Sequence, residues 1–323
     1  MNLLVTGGAG FIGNHFIRHM INKYPDYKIV NIDKLTYAGN LENLSDVAHL
    51  SQYHFVHGDI TNKQLIDKTV NEYDINVIVN FAAESHVDRS IETPDIFVKT
   101  NVLGTQTLLD ASLNKGIKKF IQISTDEVYG SLGEKGYFIE ETPLAPNSPY
   151  SASKAAADLM VKSYYETYNM DINITRCSNN YGPYHHPEKL IPLMITHAME
   201  NKKMPVYGDG LNVRDWLHVT DHCRAIDLVL HKGGPGEVFN IGGHNERTNL
   251  EIVRGIVEHL NKPEELISFV EDRKGHDRRY AIDPSKIRTD LGWEAVYTFD
   301  TGLKETIDWY VQHQDWWRKL KSG

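Results

Sequence analysis

The sequence predicts an α/β protein with a doubly wound, parallel sheet and a second, smaller α/β domain. Short apolar runs alternate with helix-like segments from residue 2 to about residue 178, which is typical of strand–helix–strand units with right-handed crossovers. Past Asn180 this alternation weakens, which indicates segments that cross between two lobes. We predict one domain from residues 1–178 plus about 214–243, and the other from about 179–213 plus 244–323.

Composition and charge narrow the class of protein. The chain has 323 residues, of which 41% are hydrophobic, enough for a substantial core. No segment approaches the roughly 18 unbroken apolar residues of a membrane span, and the amino terminus lacks the basic region of a signal peptide, so we expect a cytoplasmic protein without a membrane partner. The formal charge of -9 disfavours a nucleic-acid partner. Cys177 and Cys223 match neither a metal-ligand spacing nor a disulfide framework, so we predict no metal site.

Three glycines follow the first strand-like run, Asn2–Thr6, and precede an amphipathic helix that extends to about Lys23. Gly7, Gly10 and Gly13 have the spacing GxxGxxG. Glycine is needed first for a tight turn, next so that backbone amides can approach a pyrophosphate, and last so that the helix packs against the strand. The helix amino terminus adds positive potential for the anion. In this strand-to-helix context the motif predicts a Rossmann-type dinucleotide site.

An acidic residue in the second strand unit indicates which dinucleotide binds. The predicted strand Tyr27–Ile32 ends at Asp33, about 20 residues past the last glycine, as the dinucleotide fingerprint requires. A carboxylate there accepts hydrogen bonds from a ribose 2'-hydroxyl and would repel a 2'-phosphate. The sequence therefore favours NAD over NADP, although the adjacent Lys34 weakens this discrimination.

A polar cluster with two acids follows the apolar run Phe120–Ile123, at Ser124, Thr125, Asp126 and Glu127. In open parallel sheets, ligands bind at the carboxyl ends of the strands, and one acid could give a proton there while the other takes one. An isolated Asp-Glu pair more often caps the next element or lies in water. Because polar clusters also follow the neighbouring predicted strands, the convergence at one sheet edge favours a functional pair.

A tyrosine and a lysine lie four residues apart on the predicted helix Pro149–Tyr168, and so share one helical face. Tyr150 would normally lose its proton near pH 10. The ammonium of Lys154 and a positive nicotinamide would stabilise the phenolate, and a pKa lower by about three units corresponds to roughly 4 kcal/mol. Such a phenolate can accept a hydroxyl proton while a hydride leaves the same carbon. In an arbitrary helix this pattern is a surface pair, but downstream of the glycine motif it predicts a catalytic pair.

Together these motifs resemble the extended short-chain dehydrogenase/reductase family, the NAD-dependent epimerases and dehydratases of nucleotide sugars. The resemblance spans nearly the whole chain. It rests on residues 7–13, 33–40, 82–90, 124–130, 150–154, 176–183 and 187–192. The Thr125-Asp126-Glu127 piece favours the dehydratases, because related epimerases lack this acid pair.

The resemblance implies a reaction that agrees with the chemistry of these residues. Oxidation at carbon 4 of a nucleotide-linked hexose makes the proton on carbon 5 removable. Tyr150, helped by Thr125, is expected to take the carbon-4 hydroxyl proton while NAD accepts the hydride. Glu127 is then expected to remove the carbon-5 proton and Asp126 to protonate the departing carbon-6 hydroxyl, after which the hydride returns to carbon 6.

The resemblance also implies two sets of contacts and a homodimer. The residues expected to bind NAD are Gly7, Gly10, Phe11, Ile12, Gly13, Asp33, Lys34, Leu35, Thr36, Asp59, Ile60, Ala82, Ala83, Ser85, Thr100, Ser124, Tyr150, Lys154 and Asn180. Those expected to bind the nucleotide sugar are Ser85, His86, Thr125, Asn179, Lys189, Leu190, Pro205, Tyr207, Arg214, Asn249, Asp272, Arg273 and His276. Arg214 and Arg273 are expected to bind the diphosphate, since their planar forks can hold two oxygens at once. The dimer is expected to form through the helices at 95–114 and 149–168.

Two alternatives remain at this point. One is another enzyme on the same scaffold, either a 4-epimerase or a dehydratase for a different nucleotide base, and no physical argument from the residues selects the base. An epimerase would release a sugar of unchanged mass, whereas the expected product is lighter by one water. The other alternative is a non-catalytic NAD-binding sensor, which the joint presence of Tyr150, Lys154, Asp126 and Glu127 disfavours.

Overall fold

The structure of the protein, a computed structural model, describes residues 1–322. Over this range the strands are β1 (Asn2–Thr6), β2 (Lys28–Asp33), β3 (Tyr53–His57), β4 (Val77–Asn80), β5 (Lys119–Thr125), β6 (Ile172–Cys177), β7 (Asn179–Tyr181), β8 (Met204–Tyr207), β9 (Val213–His218), β10 (Glu237–Ile241), β11 (Glu246–Thr248) and β12 (Ile267–Val270). The α-helices are α1 (Phe11–Lys23), α2 (Lys63–Glu72), α3 (Val87–Glu92), α4 (Pro94–Phe97), α5 (Thr105–Lys115), α6 (Pro149–Tyr168), α7 (Leu190–Met199), α8 (Val219–Lys232), α9 (Asn249–His259), α10 (Ser285–Leu291), α11 (Phe299–Gln312) and α12 (Gln314–Ser322). Short 3-10 helices cover Leu41–Leu44, Asp126–Tyr129 and Glu264–Leu266, and a π-helix covers Val98–Gly104.

A parallel sheet with the strand order β10-β6-β5-β4-β1-β2-β3 forms the first lobe. Successive side chains of a strand point to opposite faces, so in β1 Leu3 joins the core cluster that contains Phe16 of α1, while Leu4 joins the cluster that contains Ile66 of α2. The predicted α/β class and parallel sheet are therefore confirmed. The strand order reverses between β1 and β4, and a crevice opens at such a point along the carboxyl ends of the strands.

The second lobe contains two small sheets and its own apolar core. One sheet has the order β11-β9-β7 and the other pairs β12 with β8. Its core includes Tyr181, Trp216, Ile252 and Trp317. The expectation that a helix follows every early strand is wrong at β6, because β7 comes next and leads into this lobe. Within the segment 214–243, β9 belongs to the small sheet, whereas α8 packs on α1 and β10 joins the large sheet. The predicted domain boundaries stay a prediction.

Helix α6 has the predicted bounds, and local sequence explains both ends. The Ser148 side chain accepts a hydrogen bond from the Ser151 amide at 3.1 Å, and the Ser151 hydroxyl accepts one from the Ser148 amide at 3.0 Å, which completes a capping box. Pro149 occupies the first turn, where its missing N–H costs nothing. Asn169 ends the helix in the left-handed conformation with φ of 55°. The cap thus places residue 150 in the first turn, beside the end of the sheet.

The helical segment Pro94–Lys115 is interrupted by a π-helix, which the sequence pattern did not predict. Within it Asn101 is buried. Its Oδ1 accepts from the amide of Glu84 at 2.8 Å, and its Nδ2 donates to the hydroxyl of Ser153 at 2.8 Å. Such π-turns often occur at functional sites, and this one ties the segment after β4 to α6.

Residues 1–322 include no helix with the length and apolar character that a bilayer crossing requires. Over the same residues no three His, Cys, Asp or Glu side chains are grouped as ligands of a metal ion. Cys177 and Cys223 are both buried free thiols.

Candidate active site

A cleft of about 370 Å³ opens along the carboxyl ends of β1, β2, β4 and β5. The five predicted catalytic residues, Thr125, Asp126, Glu127, Tyr150 and Lys154, all line it. The residues predicted to bind the cofactor line it as well, with the exception of Leu35. From the predicted substrate set, the cleft lining includes Ser85, Thr125, Asn179, Lys189 and Leu190. The sheet therefore gathers side chains that are far apart in sequence at one edge.

The glycine turn after β1 has the shape that a pyrophosphate needs. Gly7 has φ of +67°, and a Cβ on it would lie 2.8 Å from the Cα of Ala82, so only glycine fits there. A Cβ on Gly13 would lie 2.5 Å from the carbonyl oxygen of Gly7, whereas one on Gly10 would meet that oxygen alone, at 3.2 Å. Gly10 also precedes α1 and brings no side chain to cap it, so the first-turn amides are left for an anion.

The Asp33 carboxylate is held in place by backbone amides. Its Oδ2 accepts from the amide of Ala9 at 2.9 Å, and its Oδ1 accepts from the amide of Leu35 at 2.8 Å. Burial raises the pKa of Asp33, and these two amides oppose that effect. Lys34 is bonded to Asp59 at 2.8 Å, so its charge is already partnered. Leu35 thus contributes through its amide rather than by lining the cleft, and the site suits a dinucleotide with a free ribose 2'-hydroxyl.

The acid pair lies in a tight turn directly after β5. Ser124 and Thr125 are the last two residues of the strand, and the 3-10 helix Asp126–Tyr129 follows. The hydroxyl of Thr125 accepts from the amide of Glu127 at 3.3 Å and donates to Oδ1 of Asp126 at 3.3 Å. Asp126 is only 1% exposed, and its Oδ2 has no hydrogen-bond partner among residues 1–322. Because buried polar groups are usually hydrogen-bonded, an unpartnered carboxylate oxygen in a residue of the cleft lining is consistent with a catalytic role for Asp126.

The two acids have unequal electrostatic surroundings. Burial raises the pKa of Asp126 well above its usual value, and the charges of Glu127 and Asp215 raise it further. Burial also raises the pKa of Glu127, but Arg214, Lys189 and Arg273 all oppose that rise. Asp126 is thereby favoured as the neutral acid and Glu127 as the carboxylate, and pairs of acids with separated pKa values divide the roles of acid and base.

Tyr150 and Lys154 are both buried at the cleft. The ammonium of Lys154 donates to the carbonyl oxygen of Ile123 at 2.6 Å. The pKa of Tyr150 is raised well above 10, first by burial and next by the charge of Glu127, while the Thr125 hydroxyl lowers it. The predicted lowering of this pKa depended on Lys154 and on a positive nicotinamide together; among the protein groups, burial and the charge of Glu127 dominate and raise it. The phenol is therefore protonated when these protein groups act alone.

The remaining predicted substrate residues form a second group beside the cleft. Nδ1 of His276 donates to Oδ1 of Asp272 at 2.6 Å, and the His276 ring centroid lies 6.3 Å from that of Tyr207. The guanidinium of Arg273 lies 5.3 Å from the Tyr207 ring centroid. Pro205 lies two residues before Tyr207 on β8. These residues border the small two-stranded sheet rather than the main cleft.

Three further predicted substrate residues also lie outside the cleft lining and make contacts of their own. Arg214 donates to the carbonyl oxygen of Asp277 at 2.9 Å and lies over the ring of Tyr280 at 4.3 Å. Asn249 begins α9, and its amide donates to the carbonyl oxygen of Asn212 at 3.1 Å. His86 caps α3 through its ring and lies 3.6 Å from Glu188.

Several cleft residues were not among the predicted site residues. Tyr37, His185, His186 and Glu188 line the cleft. His185 stacks on Phe11 with ring centroids 4.1 Å apart, so it packs against the glycine turn. Tyr37 and Glu188 fall inside the sequence pieces 33–40 and 187–192, and closer attention to those pieces could have identified both.

Comparisons with known proteins agree with this geometry. Residues 4–306 match the protein family described as GDP-mannose 4,6 dehydratase. A curated dTDP-glucose 4,6-dehydratase from Xanthomonas campestris pv. campestris (strain B100) is 50% identical over 338 residues, which cover 99% of this chain and 96% of the relative. The crystal structure of dTDP-glucose 4,6-dehydratase from Bacillus anthracis str. Ames in complex with NAD is 56% identical, covers 99% of both chains and gives a TM-score of 0.93. The enzyme of the same name from Streptomyces venezuelae, with NAD and dTDP bound, is 48% identical, with coverage of 99% and 100% and a TM-score of 0.96.

Proposed function

This chain belongs to the GDP-mannose 4,6 dehydratase family of extended short-chain dehydrogenases/reductases, and we propose that it is an NAD-dependent hydro-lyase that converts dTDP-glucose to dTDP-4-keto-6-deoxyglucose. Such a reaction leads to deoxysugars of the rhamnose type and to surface polysaccharides. The names of the relatives support the thymidine nucleotide, and the glycine turn and Asp33 support NAD. The observation that carries the proposal is the unequal pair Asp126 and Glu127, because elimination of water needs one neutral acid and one base.

The first step is oxidation at sugar carbon 4, and Tyr150 acts in it as the base. When bound, NAD brings a positively charged ring beside Tyr150 and exchanges a hydride with the sugar. Tyr150 must first ionise, and its phenolate oxygen then takes the carbon-4 hydroxyl proton, while the Thr125 hydroxyl, which lowers the pKa of Tyr150, hydrogen-bonds to the same sugar oxygen. Lys154 lies one helical turn away and donates to the Ile123 carbonyl at 2.6 Å; burial lowers the pKa of Lys154, and the charge of Asp158 opposes that effect.

The second step is loss of water, in which one acid of the pair removes a proton and the other donates one. The carbon-4 ketone makes the carbon-5 proton acidic enough to remove. Glu127, surrounded by Arg214, Lys189 and Arg273, is the carboxylate that takes this proton. Asp126, whose pKa is raised well above its usual value by burial and by Glu127, is the acid that gives its proton to the departing carbon-6 hydroxyl.

Mass spectrometry of the products tests the proposed reaction. The NAD-loaded enzyme is incubated with dTDP-, UDP-, GDP- and CDP-linked hexoses, and we expect dTDP-glucose to give a product lighter by one water. An isomer of unchanged mass would make the protein a 4-epimerase instead. Water loss that is faster from a hexose with another base would reassign the substrate, and the absence of any product would favour the sensor.

Replacing Glu127 by glutamine is expected to slow solvent-deuterium exchange at sugar carbon 5 by about a hundred- to ten-thousandfold, the usual contribution of a general base. Glutamine keeps the size of the side chain but cannot accept the carbon-5 proton. The exchange is measured by mass spectrometry after single turnovers in deuterium oxide. A matched control is Glu42→Gln, since Glu42 is exposed and pairs with Lys319. Undiminished exchange in Glu127→Gln would rule out this base.

We also propose a homodimer, and a cytoplasmic location stays a prediction. Large apolar side chains are exposed along residues 94–115 and α6, among them Leu159 at 60%, Val98 at 57% and Leu103 at 48%. The two segments pack side by side, so these side chains belong to neighbouring helices. A contiguous apolar patch of this kind is typical of a protein interface, and a two-fold dimer would bury it against its own copy.

The variant Leu159→Glu is expected to dissociate this dimer. A two-fold axis would bury two carboxylates at once, and a buried unpaired charge costs about 3 to 5 kcal/mol, so dimerisation should weaken by at least roughly a hundredfold. Light scattering coupled to size-exclusion chromatography measures the mass. Val296→Glu is the control, because Val296 is 70% exposed and lies outside both helical segments. A monomeric wild type, or a dimeric Leu159→Glu, would contradict the proposal.

A further inference from the structure

An ion pair with two hydrogen bonds joins the lobes beside the cleft. Asp88 lies in the first turn of α3, in the first lobe, and Arg273 lies in the loop after β12, in the second. Nε of Arg273 donates to Oδ1 of Asp88, and Nη2 donates to Oδ2 at 2.9 Å. The side chain of Arg273 is 23% exposed and that of Asp88 is 37% exposed, so the pair is partly shielded from water. Bidentate pairs of this kind are geometrically specific as well as strong.

Only one edge of the guanidinium is used by this pair. Guanidinium has a side edge formed by Nε and Nη2, and an end edge formed by Nη1 and Nη2, and either can bind two oxygens. Asp88 occupies the side edge, while Nη1 of Arg273 makes no hydrogen bond to residues 1–322. The ring of Tyr207, with its centroid 5.3 Å from Cζ, lies beside the same group. The end edge is therefore free while the orientation of the guanidinium is set.

The segment that carries Asp88 makes other contacts between the lobes. The carbonyl oxygen of Ser85 accepts from the ammonium of Lys189 at 2.9 Å, and Arg89 lies 3.4 Å from Glu188. The charge of Arg273 also acts on Glu127 in the cleft. The guanidinium of Arg273 thus binds Asp88 while its charge acts on Glu127, and the family resemblance places the diphosphate of the substrate near this arginine.

We propose that Asp88 is a positioning residue that holds the side edge of Arg273 and presents its end edge to the diphosphate of the nucleotide sugar. This inference rests on the proposed function and deepens it, because it makes a first-lobe residue that does not touch the substrate a determinant of diphosphate affinity. Without Asp88 the long arginine side chain would have to be ordered by the ligand itself, and that ordering is unfavourable in entropy.

Calorimetric titration of the NAD-loaded enzyme with dTDP and with thymidine tests this role. We expect Asp88→Asn to weaken dTDP binding by about tenfold, in line with couplings between contacting residues, while thymidine affinity changes less than about twofold and kcat for dTDP-glucose stays near the wild-type value. In an Arg273→Gln background, Asp88→Asn should have no further effect on dTDP affinity. The matched control is Asp209→Asn, because Asp209 forms a similar two-bond pair with Arg278 at 2.8 and 3.1 Å.

Three results with the variants would overturn the proposal. The first is wild-type or tighter dTDP binding by Asp88→Asn, and tighter binding would mean that Asp88 competes with the diphosphate. The second is an equal loss for thymidine, which would show that the variant disturbs the loop as a whole. The third is an additive effect in the Arg273→Gln background. If the wild-type enzyme binds dTDP but dehydrates no dTDP-glucose, the proposed function fails while the role of Asp88 is still measured by these affinities; a wild type that binds no dTDP overturns both.

Discussion

Replacing Tyr150 by phenylalanine is expected to reduce the rate of NAD reduction, on mixing the NAD-loaded enzyme with dTDP-glucose, by about a hundred- to ten-thousandfold. Phenylalanine fills the buried site that Tyr150 occupies but has no oxygen to receive the carbon-4 hydroxyl proton. Without that transfer, the carbon cannot become a ketone. The absorbance of reduced nicotinamide in a stopped-flow single turnover measures the step directly, before any later step contributes.

The Tyr150→Phe result needs a control that removes a tyrosine hydroxyl elsewhere. Tyr24→Phe serves, because the Tyr24 hydroxyl donates to Asp227 at 2.9 Å and Tyr24 is not part of the cleft lining. We expect Tyr24→Phe to reduce NAD at the wild-type rate. Fast NAD reduction by Tyr150→Phe would mean that another group, with Thr125 the nearest, takes the proton. Binding of dTDP by the variant, measured by calorimetry, would show that its site is intact.

The parts of the site that the sequence predicted well are those set by local chemistry. Gly7 and Gly13 have spacing and context that only a tight turn explains, and the structure leaves no room for a side chain at either. Helix α6 could be placed at its observed bounds because Ser148, Pro149 and Asn169 are strong start and stop signals. Asp33 ends β2 at a fixed distance from the glycines, so its position could be counted.

The parts that could not be predicted depend on contacts between distant residues. Asp88 and Arg273 are 185 positions apart in the sequence, and no periodic pattern of the sequence indicates that they form a pair. The pKa of Tyr150 was predicted from Lys154 and a positive nicotinamide, whereas among the protein groups burial and the charge of Glu127 raise it. Burial is a property of the packed lobes rather than of the helix, so the local pattern was insufficient.

The different surroundings of the two acids lead to an expected pH dependence. Burial raises the pKa of Asp126 well above its usual value, so this carboxyl keeps its proton to a higher pH than an ordinary aspartate and loses it as the pH rises through that raised pKa. Burial also raises the pKa of Glu127, but the positive charges of Arg214, Lys189 and Arg273 lower it and so oppose that effect. Water loss should therefore fall on the acidic side as Glu127 becomes protonated and on the alkaline side as Asp126 ionises, which gives a bell-shaped profile.

Replacing Asp126 by asparagine is expected to slow the loss of water by about a hundred- to ten-thousandfold while NAD remains reducible by dTDP-glucose. Asparagine keeps the shape of the side chain and can donate a hydrogen bond, but it cannot transfer a proton to the departing carbon-6 hydroxyl. Rapid quenching followed by mass spectrometry should show the 4-keto sugar accumulating with its water retained. The residual reaction should also lack the alkaline decline in rate, since the group that causes it is gone.

The control for Asp126→Asn is Asp171→Asn, which changes a partly buried carboxylate at the opposite edge of the same sheet. Asp171 precedes β6 and lies 3.7 Å from Lys119, so its loss should leave the rate of water loss close to that of the wild type. Full turnover by Asp126→Asn would exclude Asp126 as the acid and leave a water molecule or Glu127 to protonate the hydroxyl. Loss of NAD reduction in the same variant would instead show that Asp126 is required for the oxidation, because the two steps share the oxygen-rich turn at the end of β5.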